Sequence, residues 1–182
     1  MVKNKTYNNI VNTLLRLGEY HEQIFATSVG DITEIDLPKQ TKFPLLHINP
    51  TSVTTGDSQL TMNFQIFIMD MVTEKDDWTE NNASADFPKL YKSLSNEQDV
   101  FNETLQICTD FIGMLRHSVQ QSVDGVDDIS APTYFTQDQF TIEPFQERFD
   151  NLCCGWVFNI GVLVQNDFQT CEIPVTARGA GY

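Results

Sequence analysis

Phe140-Thr-Ile-Glu-Pro-Phe-Gln-Glu-Arg-Phe-Asp-Asn-Leu-Cys-Cys-Gly-Trp-Val-Phe-Asn-Ile-Gly-Val-Leu-Val-Gln165 is the stretch whose pattern decides the fold. It reads as two strand-like runs flanking a turn, and the chain then leaves through Cys171-Glu-Ile-Pro174. In the second run Trp156, Phe158, Ile160, Val162 and Val164 take every second position, with Asn159, Gly161 and Gln165 among those between. Successive side chains of a strand point to opposite faces, so one face of this run is apolar and the other mixed.

The same period of two returns upstream. Leu60, Met62, Phe64, Ile66 and Ile68 alternate with Thr61, Asn63 and Gln65 before both faces turn apolar at Phe67 and Met69. This is the strongest strand pattern in the chain. Before it lies Phe43-Pro-Leu-Leu-His-Ile-Asn-Pro50, an apolar run bracketed by prolines, which end helices but are tolerated at strand ends. The turn signal Thr55-Gly-Asp-Ser58 between the two predicts an antiparallel pair.

Two helices are expected beside these strands. From about Lys5 to Thr27, Tyr7, Ile10, Val11, Leu14, Leu15 and Leu17 cluster at helical spacing, with Gly18 weakening the middle. From Glu97 to Val123, Phe101, Leu105, Cys108, Ile112, Leu115 and Val119 step by fours and threes, an apolar seam suited to a sheet. Asn96 is placed to cap that helix, and Asp99 lies near its positive end. Residues 27–42 read as an irregular connection. Polar stretches near 73–96 and 124–132 read as surface excursions, and the tail after 175 as too poor in apolar residues to order itself. The expectation is one α+β domain across residues 1–182, with a mostly antiparallel sheet of about four strands against two main helices.

With 182 residues, 41% of them hydrophobic and 13 of them Phe, the chain can bury a full core without metals or disulfides. Lys and Arg number 11 against 25 Asp and Glu, a net charge of -14. Tight binding to nucleic acid needs cations that displace counterions from phosphates, so this balance argues against a basic grip. An acidic surface keeps a protein soluble, and beside DNA it repels phosphates and lets the polymer slide. The first residues lack a signal-peptide pattern and no run approaches the ~20 apolar residues of a membrane span, so the expected site of synthesis is the cytoplasm, with reduced thiols.

Chemistry-bearing patterns are sparse. Cys108, Cys153, Cys154 and Cys171 form no Cys-x-x-Cys pair, and Cys153 and Cys154 should point to opposite faces of a strand. His21, His47 and His117 have no ligand spacing with them. Glu74, Asp76, Asp77 and Glu80, and likewise Asp124, Asp127 and Asp128, depart from the calcium-loop pattern and read as solvated charge. Cys108 lies on an apolar helix seam, where a thiol stays protonated. No nucleophile elbow, dinucleotide fingerprint or phosphate loop is present. The sequence therefore gives no positive reason to expect an enzyme, a metal or a cofactor. Glu143, Glu147, Arg148 and Asp150, between the last two strands, are read either as hairpin-end charges or as contacts across a subunit boundary.

The order helix, strand, strand, helix, strand, strand, together with Phe145-x-x-Arg148-Phe-Asp-Asn-Leu-x-x-Gly155-Trp156 and Asn166-x-Phe-x-x-Cys171, resembles the tail terminator and tail-completion proteins of tailed bacteriophages. In that family a charged strand ending in Asp runs into a Leu-Ala-Gly-Trp type turn; here Cys153-Cys154 replaces the small residue before Gly155. The resemblance covers the last third by motif and the rest by element order. It implies a virion subunit closing into a ring, usually hexameric, which ends the tail tube, meets tail-tube and head-connector or portal proteins, and surrounds passing DNA without binding it specifically. On that reading Trp78, Phe87, Phe135 and Phe140 are interface anchors, and the acidic residues of the two excursions face the lumen or a neighbouring subunit. A twelvefold neck ring of a short-tailed phage is the near alternative. A cytosolic small-molecule binding module is the distant one.

Overall fold

The computed structural model describes residues 6–32, 35, 42–56, 59–73, 96–116, 135–148 and 152–165. Among these the chain forms α1 (Thr6–Tyr20), β1 (Ala26–Val29), β2 (Leu45–Thr55), β3 (Gln59–Met71), α2 (Glu97–Arg116), β4 (Phe135–Thr136), β5 (Ile142–Arg148) and β6 (Leu152–Gln165). The architecture is α+β, with a mixed six-stranded sheet and two helices. Its strand order is β1-β2-β3-β6-β4, with β5 also paired to β6. β1 runs parallel to β2, and the other pairings are antiparallel. β4 and β5 share one lane, β4 beside the later part of β6 and β5 beside its start.

The sequence pattern predicts about four strands, and the two additional ones are short. β1 lies where an irregular connection is expected. α1 stops at Tyr20 instead of continuing to Thr27, because His21 N donates to Gly18 O and Ile24 N to His21 O, turning the chain back. The β-branched Thr27 and Val29 then pair with β2. A strand of four residues has too few alternations to be seen without its partner.

Both helices lie on one face of the sheet. Ile10, Val11, Leu14 and Leu17 of α1 bury with Leu46, Ile48, Met62, Phe64, Ile66, Ile68, Phe158, Ile160 and Val162. α2 contributes Ile107, Cys108, Phe111, Ile112 and Leu115 to the same core, with Phe111 facing Phe158 at 6.3 Å between ring centroids. Its buried stripe of Val100, Thr104, Ile107, Cys108, Phe111, Ile112 and Leu115 is rolled about one position from the predicted seam. Phe101 and Leu105 fall at its half-buried margin, since the larger gain comes from seating Phe111 over the sheet centre. Thr104 is tolerated inside because its hydroxyl donates to Val100 O at 2.6 Å. Trp156 locks β6 to α2: its Nε1 donates to Phe101 O at 2.7 Å, and its ring meets Phe101 edge to face.

Asn96 accepts the first α2 bond through its own carbonyl, from Val100 N. Its side chain, however, is not a helix cap. Asn96 Oδ1 accepts from Thr73 N at 2.7 Å and Asn96 N donates to Thr73 O, so this residue ties the end of β3 to the start of α2.

Gly155 lies inside β6 rather than in a turn. It pairs with Met69 of β3, and a Cβ there would stand 2.0 Å from Ile68 O and 2.9 Å from Met69 Cα. Close approach of two backbones, not turn geometry, is why this position needs glycine. Cys153 and Cys154 do project to opposite faces. Cys153 packs with Leu45, Phe67 and Met69 on the side away from the described helices, and Cys154 with Val72 and Val100 on the helix side.

Candidate functional site

The face away from the two described helices divides into two zones. At one end Leu45, Phe67, Met69 and Cys153 form a second apolar cluster, flanked by Ala26, Ile32, Ile35, Phe43, Phe145 and Val157. Phe67 meets Phe145 edge to face at 5.5 Å. At the other end the strand registers place Asn49, Gln65 and Asn159 directly opposite one another across β2, β3 and β6. The next rank holds Ser52, Asn63 and Gly161, and the one beyond it Thr54, Thr61 and Leu163. These three ranks contain no charged residue, in a chain of net charge -14.

The row is internally tied. Asn63 Nδ2 donates to Ser52 Oγ at 3.0 Å, and Thr51, at the register shift of β2, donates its hydroxyl to Asn63 O at 3.0 Å. Between β4 and β5 the backbone lane beside β6 is interrupted, and the Gln137 amide fills it. Its Nε2 donates to Asn159 O at 2.7 Å, and its Oε1 accepts from Gly161 N at 2.7 Å. A Cβ on Gly161 would come within 3.2 Å of Asn63 Oδ1 and 3.3 Å of Gln137 Oε1, crowding both amides. Arg116, at the end of α2, donates to Asp138 O and places its guanidinium 5.1 Å from the Phe140 ring centroid.

The predicted interface residues separate in this structure. Phe135 is the most exposed of the large apolar side chains described, at 69%. Phe140 turns inward, half-buried against the core and edge to face on Phe158 at 6.1 Å. Glu143 is exposed on β5, opposite Val157. Glu147 and Arg148 pair by backbone with Cys153 and Leu152. Trp78, Phe87 and Asp150 lie outside the described residues, as do Glu74, Asp76, Asp77, Glu80, Asp124, Asp127 and Asp128.

Among the described residues, groups capable of chemistry are scattered or buried. Burial pushes the Cys108 thiol up to about 12. Cys154 is also pushed up to about 12, first by burial and then by Glu97, Cys153 and Asp70, so both stay protonated thiols at neutral pH. Asp70 is raised by burial, with Glu103 adding repulsion and the Met71 N–H, 2.7 Å from Oδ1, pulling the other way. Ser28 and His47 make a 2.8 Å hydroxyl–imidazole contact that the sequence does not announce. His47 is 2% exposed and packs on Phe67, while Ser28 is half-buried, so the pair joins β1 to β2. His21 accepts from Gln23 N at Nδ1, which leaves Nε2 to donate toward Asp110 at 3.7 Å. Among the described residues no three His, Cys, Asp or Glu side chains converge as a metal site requires, and no helix is long and apolar enough to cross a membrane.

Sequence reading marks Thr61, Asn63, Gln65, Asn159 and Gly161 only as the polar sides of two strands. The amide row exists because the register aligns them, and no single-strand pattern carries that information. No known family matches the chain, and a search of curated proteins finds no relative.

Proposed function

We propose that this chain is a structural subunit of a tailed-phage virion, closing into a ring at the head–tail junction that ends or completes the tail and lets DNA through. The reading starts from the sequence resemblance. The observation that carries it further is the one-sided sheet: both described helices on one face, and on the other a zone of amides and hydroxyls without charge. A wall around moving DNA has to offer phosphates no fixed cations, because each such contact releases counterions and holds the polymer. Neutral amides hydrogen-bond to water on that wall, and an acidic remainder keeps the outside of the ring from gripping DNA.

The test is the solution mass of the purified chain by light scattering at low and high salt, followed by electron microscopy of any assembly. Copies this acidic repel one another, so assembly should strengthen as salt shortens the screening length from about 30 Å at 0.01 M to about 8 Å at 0.15 M. A closed ring of six supports tail completion, and one of twelve favours a neck ring of a short-tailed phage. A monomer that carries a bound metabolite rejects the virion reading in favour of a small-molecule binding module.

A further inference from the structure

The two most exposed large apolar side chains described, Phe135 at 69% and Phe25 at 63%, stand at opposite edges of one sheet. Phe25 leads into β1, the first strand of the sheet order, with Val29 also exposed at its far end. Phe135 begins β4 in the last lane and, opposite Leu163, lies on the amide side, whereas Val29, opposite Ile48, lies on the helix side, so each flanks its edge on its own face. We infer that these edges are the two halves of one contact: β1 of one copy lies against β4 of the next, head to tail. This inference rests on the ring reading and names the surfaces that would make it.

Three observations lead there. First, β1 has backbone to offer. Ala26 N donates to Pro44 O and Gly30 N to Ile48 O, so in the alternating ladder Thr27 and Val29 direct their N–H and C=O groups away from β2. Neither β1 nor β4 carries the charge or proline that normally blunts an edge, whereas β5 carries Glu143 and Pro144. Second, copies of a chain with net charge -14 approach at least cost where charge is absent, and Ile24–Gly30 and Phe135–Gln137 contain none. The β4 end is also held in place, by the Gln137 amide on β6 and by Arg116 on Asp138 O.

Third, the offset between the edges has the size that closure needs. Through the registers Thr27 and Ser28 are level with Trp156 and Val157, whereas Phe135 and Thr136 are level with Leu163 and Val162, six residues further along β6. That is about 20 Å along the strands, against about 24 Å across the five lanes of one copy. A sheet continued from copy to copy with that stagger tilts its strands by about 40°, inside the range at which sheets close on themselves. β1 and β4 run in opposite directions, so they meet as an antiparallel pair. The contact joins two different surfaces, so repetition yields a ring where the rotation closes, an open filament where it does not, and in neither case a two-fold dimer. With the described helices on the outer radius, the amide row turns inward.

The experiment uses full-length Phe25→Asp and Phe135→Asp, with Val29→Asp as a second β1 variant. Thermal melting checks that each is folded, and mass is read by light scattering in the salt at which the wild type assembles. Each variant alone should fall to the monomer mass of 20.7 kDa. An equimolar mixture of Phe25→Asp and Phe135→Asp keeps one intact edge on each partner, so it should stop at twice that mass. A wild-type ring that all three substitutions leave intact overturns the edge contact while the ring reading stands. Variants that dimerise alone but not when mixed also overturn it, because they would show a two-fold contact. A wild type that stays monomeric at every salt concentration overturns both.

Discussion

Asp70 is a carboxyl held where charge is unwelcome. Its raised affinity for a proton comes from burial first, and Glu103 adds to it. The folded state therefore binds this proton more tightly than the unfolded chain does, and the sign for stability follows. Below the ordinary value of 3.8 both states are protonated and Asp70 costs nothing. As pH rises from that value through the raised folded one, the penalty develops. Asp70→Asn keeps an oxygen for the Met71 N–H and removes the charge. It should raise the midpoint of urea denaturation at pH 7 and lose that advantage below pH 4. An equal gain at both pH values would show that charge is not the cause. Gly155 is constrained by space instead. Gly155→Ala puts a methyl 2.0 Å from Ile68 O, between backbones that a rotamer change cannot relieve. A loss of about 3 kcal/mol, the upper part of the overpacking range, is expected from denaturant titration.

At the scale of elements, the lane beside β6 is the most informative, because a side chain completes what the backbone leaves open. Gln137→Leu removes both amide bonds to Asn159 O and Gly161 N. At about 1 kcal/mol per bond the loss is about 2 kcal/mol. Its signature is local: the Gly161 amide should exchange with solvent faster than its neighbours on the β3 side of β6, and unchanged exchange there would refute the bridging role. What the sequence discloses also divides by element. β3 and β6 are legible because long alternation on a half-buried sheet leaves one reading, and α2 because its apolar seam persists over several turns. β1 is not legible, since Ala26–Val29 acquires strand character only from pairing with β2. The roll of α2 escapes for a similar reason: several neighbouring apolar residues can form the seam, and Phe158 on another element selects Phe111. Gly155 looks like a turn residue until the register shows which backbone it admits. The amide row, the Gln137 bridge and the Ser28–His47 contact are all products of register, so composition alone shows their residues without showing the site.

Across the whole molecule the charge acts on folding and on assembly together, and the two can be separated. A net charge of -14 on a chain this size repels itself inside one copy as well as between copies. For 182 residues the folded diameter is on the order of 40 Å, comparable with the screening length of about 30 Å at 0.01 M salt and several times that of about 8 Å at 0.15 M. Adding salt over that interval should therefore raise the melting temperature even of an isolated copy. Assembly adds a second contribution of a different kind, because a partner that binds only the folded state stabilises it by mass action. The first contribution is independent of protein concentration and the second is not. Melting curves at low and high salt, each at two protein concentrations about a hundredfold apart, resolve them. The ring reading requires a concentration-dependent rise that is small at low salt and larger at high salt. Phe135→Asp should abolish that part while leaving the concentration-independent rise in place. If salt raises the melting temperature equally at both concentrations, screening acts within single copies alone and the uncharged edges β1 and β4 have no partner among copies of this chain.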